Sequence, residues 1–459
     1  SHLLFLGTDQ PAARRLFASP QVNDNGLNLE VRRNPLSPGH VAVLLDMAED
    51  NREQPLLSRL GHYGRYAKLA FRDGANTAKS VATVEHGIRV DLETLPQGGA
   101  TAALSSFSGV VEKLSEAAVV YLGETHTSYG DHLMQLRVIE ALYRRDPRLV
   151  IAMEMFPHLA QPSLDRYLTA AERSNEREFL QESGYFRHWR FDYRLYRDIL
   201  LFAREKRIPV IALNLPQEIV SQVARHGGSD VLDPATLASL PGDRDLDLPG
   251  RDERLAESHA MHRQAGLGDG PSAGFLQAQA LWDETMAATV ADYARSHPET
   301  RLVVLAGTQH ARKDNGIPPR VARRIGLTQL VAINLADGLN VTELDKIADF
   351  YFLSQQASLP EAGKIGITLE PAPATDAPAL VITALSPHGR AAQGGIEVGD
   401  ILLAVNGYPV QEFADIQIAL LDAQVGESAT VTVRRERDGA SKEHNFAVQL
   451  TAAKPSFHP

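Results

Sequence analysis

The stretch 117-AAVVYLGETHTSYGDH-132 decides the fold. Its apolar run, Ala118 to Leu122, breaks off at Gly123-Glu124-Thr125-His126, after which Leu133, Leu136, Ile139 and Leu142 recur at helical spacing. This is the pattern of a buried strand followed by a turn and a helix. Ser128 with Asp131 three residues later is a cap for that helix. Ligands of open α/β sheets bind at the carboxyl ends of the strands, so Glu124, His126, Tyr129 and His132 form the first candidate cluster.

Outward from this unit, strand and helix patterns alternate over 105–345, which predicts a mainly parallel sheet with helices on both faces. A second buried strand, 149–153, leads to Glu154-Met155-Phe156-Pro157, where proline is expected to end it and leave Glu154 at the same edge as His126. The region after it reads as one long helical stretch holding the aromatic run 185–193. A third strand at 208–213, an irregular segment at 225–275 and a helix at 277–297 follow. A fourth strand, 301–306, ends in Gly307-Thr308-Gln309-His310, repeating the spacing of Gly123 to His126, and a last strand is expected at 330–335. Residues 1–100 read as a small α/β domain with strands at 27–31, 40–45 and 66–71, and its His62-Tyr63-Gly64-Arg65-Tyr66 reads as an aromatic strand entry. The glycine-containing stretch 97–101 reads as a linker, as does 346–362, and 363–452 as a β-rich C-terminal domain.

The chain's 459 residues, 44 % of them hydrophobic, suffice for about three domains. No run reaches the roughly 18 apolar residues of a membrane span. The absence of cysteine removes disulfides, thiolate metal sites and thiol nucleophiles, and a net charge of −11 argues against general nucleic-acid binding.

Two chemistries compete for the strand ends. Imidazoles beside carboxylates suit a divalent metal with a water nucleophile, for which His126, His310, Glu124 and Glu154 are the ligands or catalytic groups of a metal-dependent hydrolase, peptidase- or esterase-like. Tyrosine can ligate ferric haem and arginine can pair its propionates. Tyr129, Tyr185, Tyr193 and Tyr196 are then candidate ligands, with His126 and His132 near them and Arg187, Arg190 and Arg194 as propionate partners. An assembly scaffold with an inactive centre is a third reading.

Taken in order, Leu122-Gly123-Glu124-Thr125-His126, Glu154-Met155-Phe156, 191–196, 280–287 and Ala306-Gly307-Thr308-Gln309-His310 resemble the ChaN family of haem-binding proteins, within the wider Tiki and erythromycin-esterase-like superfamily. The resemblance implies an α/β fold and a role in haem or iron uptake at the cell envelope, periplasmic or anchored at the outer membrane. It also implies haem held through a tyrosine at a homodimer interface, with Tyr129 the first choice here and Tyr185 the second. Arg312 and Lys313 depart from the family pattern by their charge. The C-terminal domain resembles a bacterial PDZ domain, through Lys364-Ile365-Gly366-Ile367 and 395–407. That resemblance implies capture of a partner protein's C-terminal carboxylate by Lys364, Ile365, Gly366 and Ile367, the peptide adding a strand to the sheet. The first domain faintly resembles a small domain that accompanies ChaN-like domains and metallopeptidases, but no His-Glu-x-x-His zinc motif occurs.

Overall fold

The computed structural model describes residues 2–7, 11–17, 26–37, 40–48, 56–57, 60, 63–64, 66–81, 98–100, 103–169, 176–226, 228–246, 273–335, 344–353, 357–372, 378–437 and 440–452. The chain divides into two compact units, Ser1–Thr94 and Leu95–Pro459.

The first unit is a five-stranded sheet of β1 (Leu3–Leu6), β2 (Leu27–Arg33), β3 (Val41–Met47), β4 (Lys68–Arg72) and β5 (Ala75–Ser80), in the order β1-β3-β2-β4-β5. Strand β3 alternates, burying Ala42 and Leu44, which pack with Phe5, Ala13 and Phe17. The expected strands are present, and β1 and β5 join them. Tyr63 stands edge-on to Phe71 at 5.2 Å, as an aromatic strand entry should, while His62 and Arg65 lie outside the described residues.

The second unit is built on an eight-stranded sheet of β6 (Gly98–Ala100), β7 (Ala103–Ser105), β8 (Val119–Glu124), β9 (Leu149–Pro157), β10 (Val210–Asn214), β11 (Arg301–Gly307), β12 (Gln329–Asn334) and β13 (Phe350–Phe352), ordered β10-β9-β11-β8-β12-β13-β6-β7. Strands β10 to β13 of this order pair in parallel; β6 and β7 add antiparallel pairs at one edge. Helices cover both faces, so β8 and β9 are buried at every position and read as continuous apolar runs. On one face Val120 and Leu122 meet Val138, Ile139 and Tyr196; on the other Val119 and Tyr121 meet Met286, Ala287 and Val321.

Several expectations are corrected here. Gly98–Ala100, read as linker, is a strand paired on one side with β7 and on the other with β13, which itself lies inside the stretch 346–362 read as connector. Strand pairing uses the backbone alone, so a glycine pair leaves no side-chain pattern to recognise. Pro157 does not stop β9 short but is its last residue, paired with Asn214. The aromatic run is not one helix: a turn at Gly184 (φ +62°) starts the short helix Tyr185–His188, and the chain then runs irregularly until the helix Arg194–Lys206. Pro234–Ser239, within the segment read as irregular, is a helix capped by Asp233, while 247–272 lies outside the described residues.

The last part is an antiparallel sheet of β14 (Ile367–Pro371), β15 (Leu380–Leu385), β16 (Ile401–Val405), β17 (Tyr408–Pro409), β18 (Ser428–Arg437) and β19 (Ala440–Gln449), with the helix Phe413–Ala419. That helix is seated on the large sheet's helical layer: Ile418 and Leu421 share a core with the central aromatics, and Arg197 joins Asp422.

Candidate functional site

The two Gly-x-x-His turns lie side by side because β8 and β11 are neighbours, with Gly307 opposite Glu124 in the register. Both glycines are there for close approach. A Cβ on Gly307 would stand 2.7 Å from His126 Cε1, and one on Gly123 would stand 2.9 Å from Ile333 Cγ2. Alternation along the strands then separates the acidic residues. Glu124 follows Val120 and Leu122 to one face, whereas Glu154 follows Val150 and Ala152 to the other.

On the first face, Glu124 is buried and its Oε1 lies 2.6 Å from His126 Nδ1. Burial opposes charging this imidazole, but the Glu124 hydrogen bond and the charges of Glu124 and Glu154 outweigh it and raise its pKa to about 9. The His126 side chain keeps 27 % exposure and is flanked by Trp189 at 4.7 Å and Phe191 at 4.8 Å. The expected cap is formed: Ser128 accepts from the Asp131 N–H, and Asp131 in turn accepts from the Thr125 N–H at 2.9 Å, which holds the turn that carries His126. His132 is buried beneath, between Gln135 Oε1 and the His126 carbonyl, each at 3.2 Å, with Nε2 3.9 Å from Glu124 Oε2. Glu124 Oε2, Tyr185 Oη and Tyr196 Oη are buried without a hydrogen-bond partner. Burial is the main cause that pushes both phenols well above their ordinary pKa, and the Glu124 charge adds to it. Unpaired polar atoms converging on one buried carboxylate mark a place for a polar guest.

On the second face, His310 Nδ1 lies 2.6 Å from Asp283 Oδ1, and Nε2 lies 3.5 Å from Glu154 Oε1. Glu154 Oε2 accepts from the Gly307 N–H at 2.7 Å, so both histidine pairs meet at that glycine. Asp283 comes from the helix Ala273–Ser296, and Arg320 reaches it at 3.6 Å while also facing Glu284 at 3.2 Å. Glu284 further accepts from Arg323 and Arg324 at 2.7 and 2.6 Å, which anchors this half in a buried charge network.

The set His126, His310, Glu124 and Glu154 is thus brought to one edge but split into two pairs on opposite faces. Among the described residues no three His, Asp or Glu side chains converge as a metal cage. Each Nδ1 faces a carboxylate, Glu124 or Asp283, to which it donates, and the two pairs do not converge on one point, so these four do not form the ligand set of a single divalent ion.

The other candidates separate as well. Tyr129, three residues after His126, is half-buried and donates to Asp198 at 2.8 Å. Tyr185 and Tyr193 are enclosed in the aromatic core with Phe156 and Phe179, and Tyr196 lies under His132 at 4.3 Å. Arg187 pairs with Glu412 of the C-terminal domain at 2.8 Å and Arg194 with Asp192 at 2.7 Å. Arg312 and Lys313, unexpected by their charge, are neutralised locally by Asp314 and Asp349. Trp189, Phe191 and Asp283 are the site residues that sequence reasoning did not assign to these histidines. The Asp283 signal was its place beside Trp282 on a buried helix face. Lys364, Ile365, Gly366 and Ile367 line a groove beside the helix Phe413–Ala419, and Gly366 has φ +81°.

Residues 110–321 match the family described as haem-binding uptake, Tiki superfamily, ChaN, and residues 381–435 match the PDZ domain. Among solved structures, ChaN of Campylobacter jejuni with cofacial haem is 16 % identical over 57 % of this chain and 97 % of its own, with a TM-score of 0.45. A mutant erythromycin esterase EreC in its open conformation is 16 % identical over 56 % of this chain and 81 % of its own, TM-score 0.33. The HtrA3 PDZ domain bound to a phage-derived ligand is 23 % identical over 20 % of this chain and 86 % of its own, TM-score 0.17. The chain therefore carries a domain of the ChaN haem-binding family of the Tiki superfamily, followed by a PDZ domain.

Proposed function

We propose that the chain binds haem at the rim formed by His126 and Tyr129 and serves haem or iron acquisition at the cell envelope, while its PDZ domain binds the C terminus of a partner protein. Membership of a haem-binding family supports the ligand, and one observation supports the place. His126 alone among the buried-carboxylate histidines combines partial exposure with flat aromatic neighbours, Trp189 and Phe191. Its Nδ1 bond to a buried carboxylate is the arrangement that orients a ligating imidazole and raises its basicity. Tyr129 offers the second ligating atom of the rim, its phenol drawn toward Asp198. The residues fit in that His126 or Tyr129 would hold the haem iron and Trp189 and Phe191 would wall it; Arg187 and Arg194 are committed to other carboxylates and would not serve the propionates. Bound haem supplies a ferric centre, and the chain's part is to orient a ligand, keep an apolar wall and release a proton from His126. Haem titration of the purified chain tests this: a saturable Soret band at about one haem per chain is expected, with tyrosinate-like features lost in Tyr129→Phe where the phenol is the ligand. Unsaturable binding that Phe191→Ala and His126→Ala leave unchanged overturns it.

A second reading, hydrolysis, is favoured by the Asp283–His310–Glu154 alignment, in which a carboxylate orients an imidazole toward a second carboxylate. It calls for acid–base chemistry from these three residues. Turnover of an ester substrate that is abolished in His310→Ala and retained in His126→Ala supports it.

A further inference from the structure

The groove beside the PDZ loop has a wall that the PDZ domain does not supply. Besides Ile365, Gly366, Ile367, Ile416 and Leu420, it is lined by Phe186, Arg190 and Asp192 of the central domain. Beside the packing of Ile418 and Leu421, three polar contacts hold the two domains in this arrangement: Arg187 with Glu412 at 2.8 Å, Arg197 with Asp422, and the Tyr408 hydroxyl donating to Gln181 at 2.8 Å.

The charges of this wall are unequally committed. Asp192 accepts three bonds from the Arg194 guanidinium at 2.7 to 3.1 Å, which neutralises it. Arg190 is exposed and makes no ion pair with a described residue, and the same holds for Lys364 across the groove. On the loop, the Ile365 and Gly366 N–H groups donate to no described acceptor. An apolar floor under two uncommitted cations and two free amides is complementary to an apolar residue bearing a free carboxylate.

We propose that the groove is a composite site for the C-terminal end of an extended peptide with an apolar last residue, in which Phe186 and Arg190 of the central domain determine specificity. This rests on the PDZ reading and adds to it a second domain's contribution. The same segment turns its other side to the first face of the sheet, where Trp189 and Phe191 pack on His126. Filling the groove therefore acts on the wall of the proposed haem rim.

The test is calorimetric titration of the full chain, without haem, with an acetylated hexapeptide ending in valine, as free acid and as C-terminal amide. The free acid binds saturably, and Arg190→Ala weakens it by about fivefold, the size of a solvent-accessible charge pair, with Arg190→Lys restoring part of the loss. Because Arg190 acts on the carboxylate, Arg190→Ala leaves the weaker amide unchanged. In a Trp282→Phe chain, which keeps Trp189 as its one tryptophan, the free acid shifts the emission. Equal binding of acid and amide overturns the PDZ carboxylate reading itself. Preference for the acid with no effect of Arg190→Ala overturns only the composite site, as does peptide binding with unmoved Trp189 emission. Self-association of the chain that competes with peptide would assign the groove to a second copy and also overturn it.

Discussion

The two Gly-x-x-His turns are equivalent in sequence and adjacent in the sheet, yet they end in different environments. The first turn carries its own carboxylate, Glu124, and leaves His126 partly exposed between aromatic rings. The second borrows Asp283 from a distant helix and is locked into a network of Arg320, Glu284, Arg323 and Arg324. A repeat of residue types thus does not make a symmetric site. The period-2 alternation along β8 and β9, the strands on either side of β11, puts Glu124 and Glu154 on opposite faces, and each histidine takes the character of the layer it meets.

The two halves should differ most visibly in stability. Asp283 is fully buried, and Asp283→Ala removes the carboxylate that His310 Nδ1 and Arg320 share. Chemical denaturation should show a loss of about 3–5 kcal/mol, the range for breaking a buried ion pair. A loss below 1 kcal/mol would mean that the second half is not anchored as described.

The next effect is pH dependence on the first half. With a folded pKa raised to about 9 against 6.5 unfolded, His126 binds its proton more tightly in the folded chain. The resulting stability is fully present below about pH 6.5 and is lost as pH rises through 9; it amounts to no more than about 3 kcal/mol. Thermal unfolding of the native chain at pH 6.5 and 9.5 should reveal it, and Glu124→Gln should flatten this alkaline decline. A decline of unchanged size in that variant would sever the link between the two residues.

A smaller change probes the meeting point. In Gly307→Ala the new methyl group occupies the space of His126 Cε1 and must turn the ring. Haem affinity should fall at least tenfold, about 1.4 kcal/mol, while His310 keeps its bond to Asp283. Smallest of all, Arg187→Ala removes an exposed pair with Glu412 and should cost under about 1 kcal/mol of stability.

Much of the first half was legible because it is local. The strand, the turn, the Ser128 cap and the helix Tyr129–Arg145 all follow from one continuous stretch, as does the register of His126 beside Glu124. The second half was legible only as a motif, since its carboxylate lies 27 positions away and no spacing rule joins them. The face on which each strand-end residue lies was also implicit in alternation, but four polar residues at one edge invite a single cluster. Trp189 and Phe191 escaped because a helical stripe was expected where the chain is irregular between two helices. Gly98–Ala100 carries no side-chain pattern at all.

The difference between the halves is tested most directly by titrating haem into wild-type, His126→Ala and His310→Ala proteins side by side and following the Soret band. Binding should be saturable in the wild type, at least tenfold weaker in His126→Ala, and within twofold of wild type in His310→Ala. Equal losses in both variants, or a loss confined to His310→Ala, would contradict this expectation.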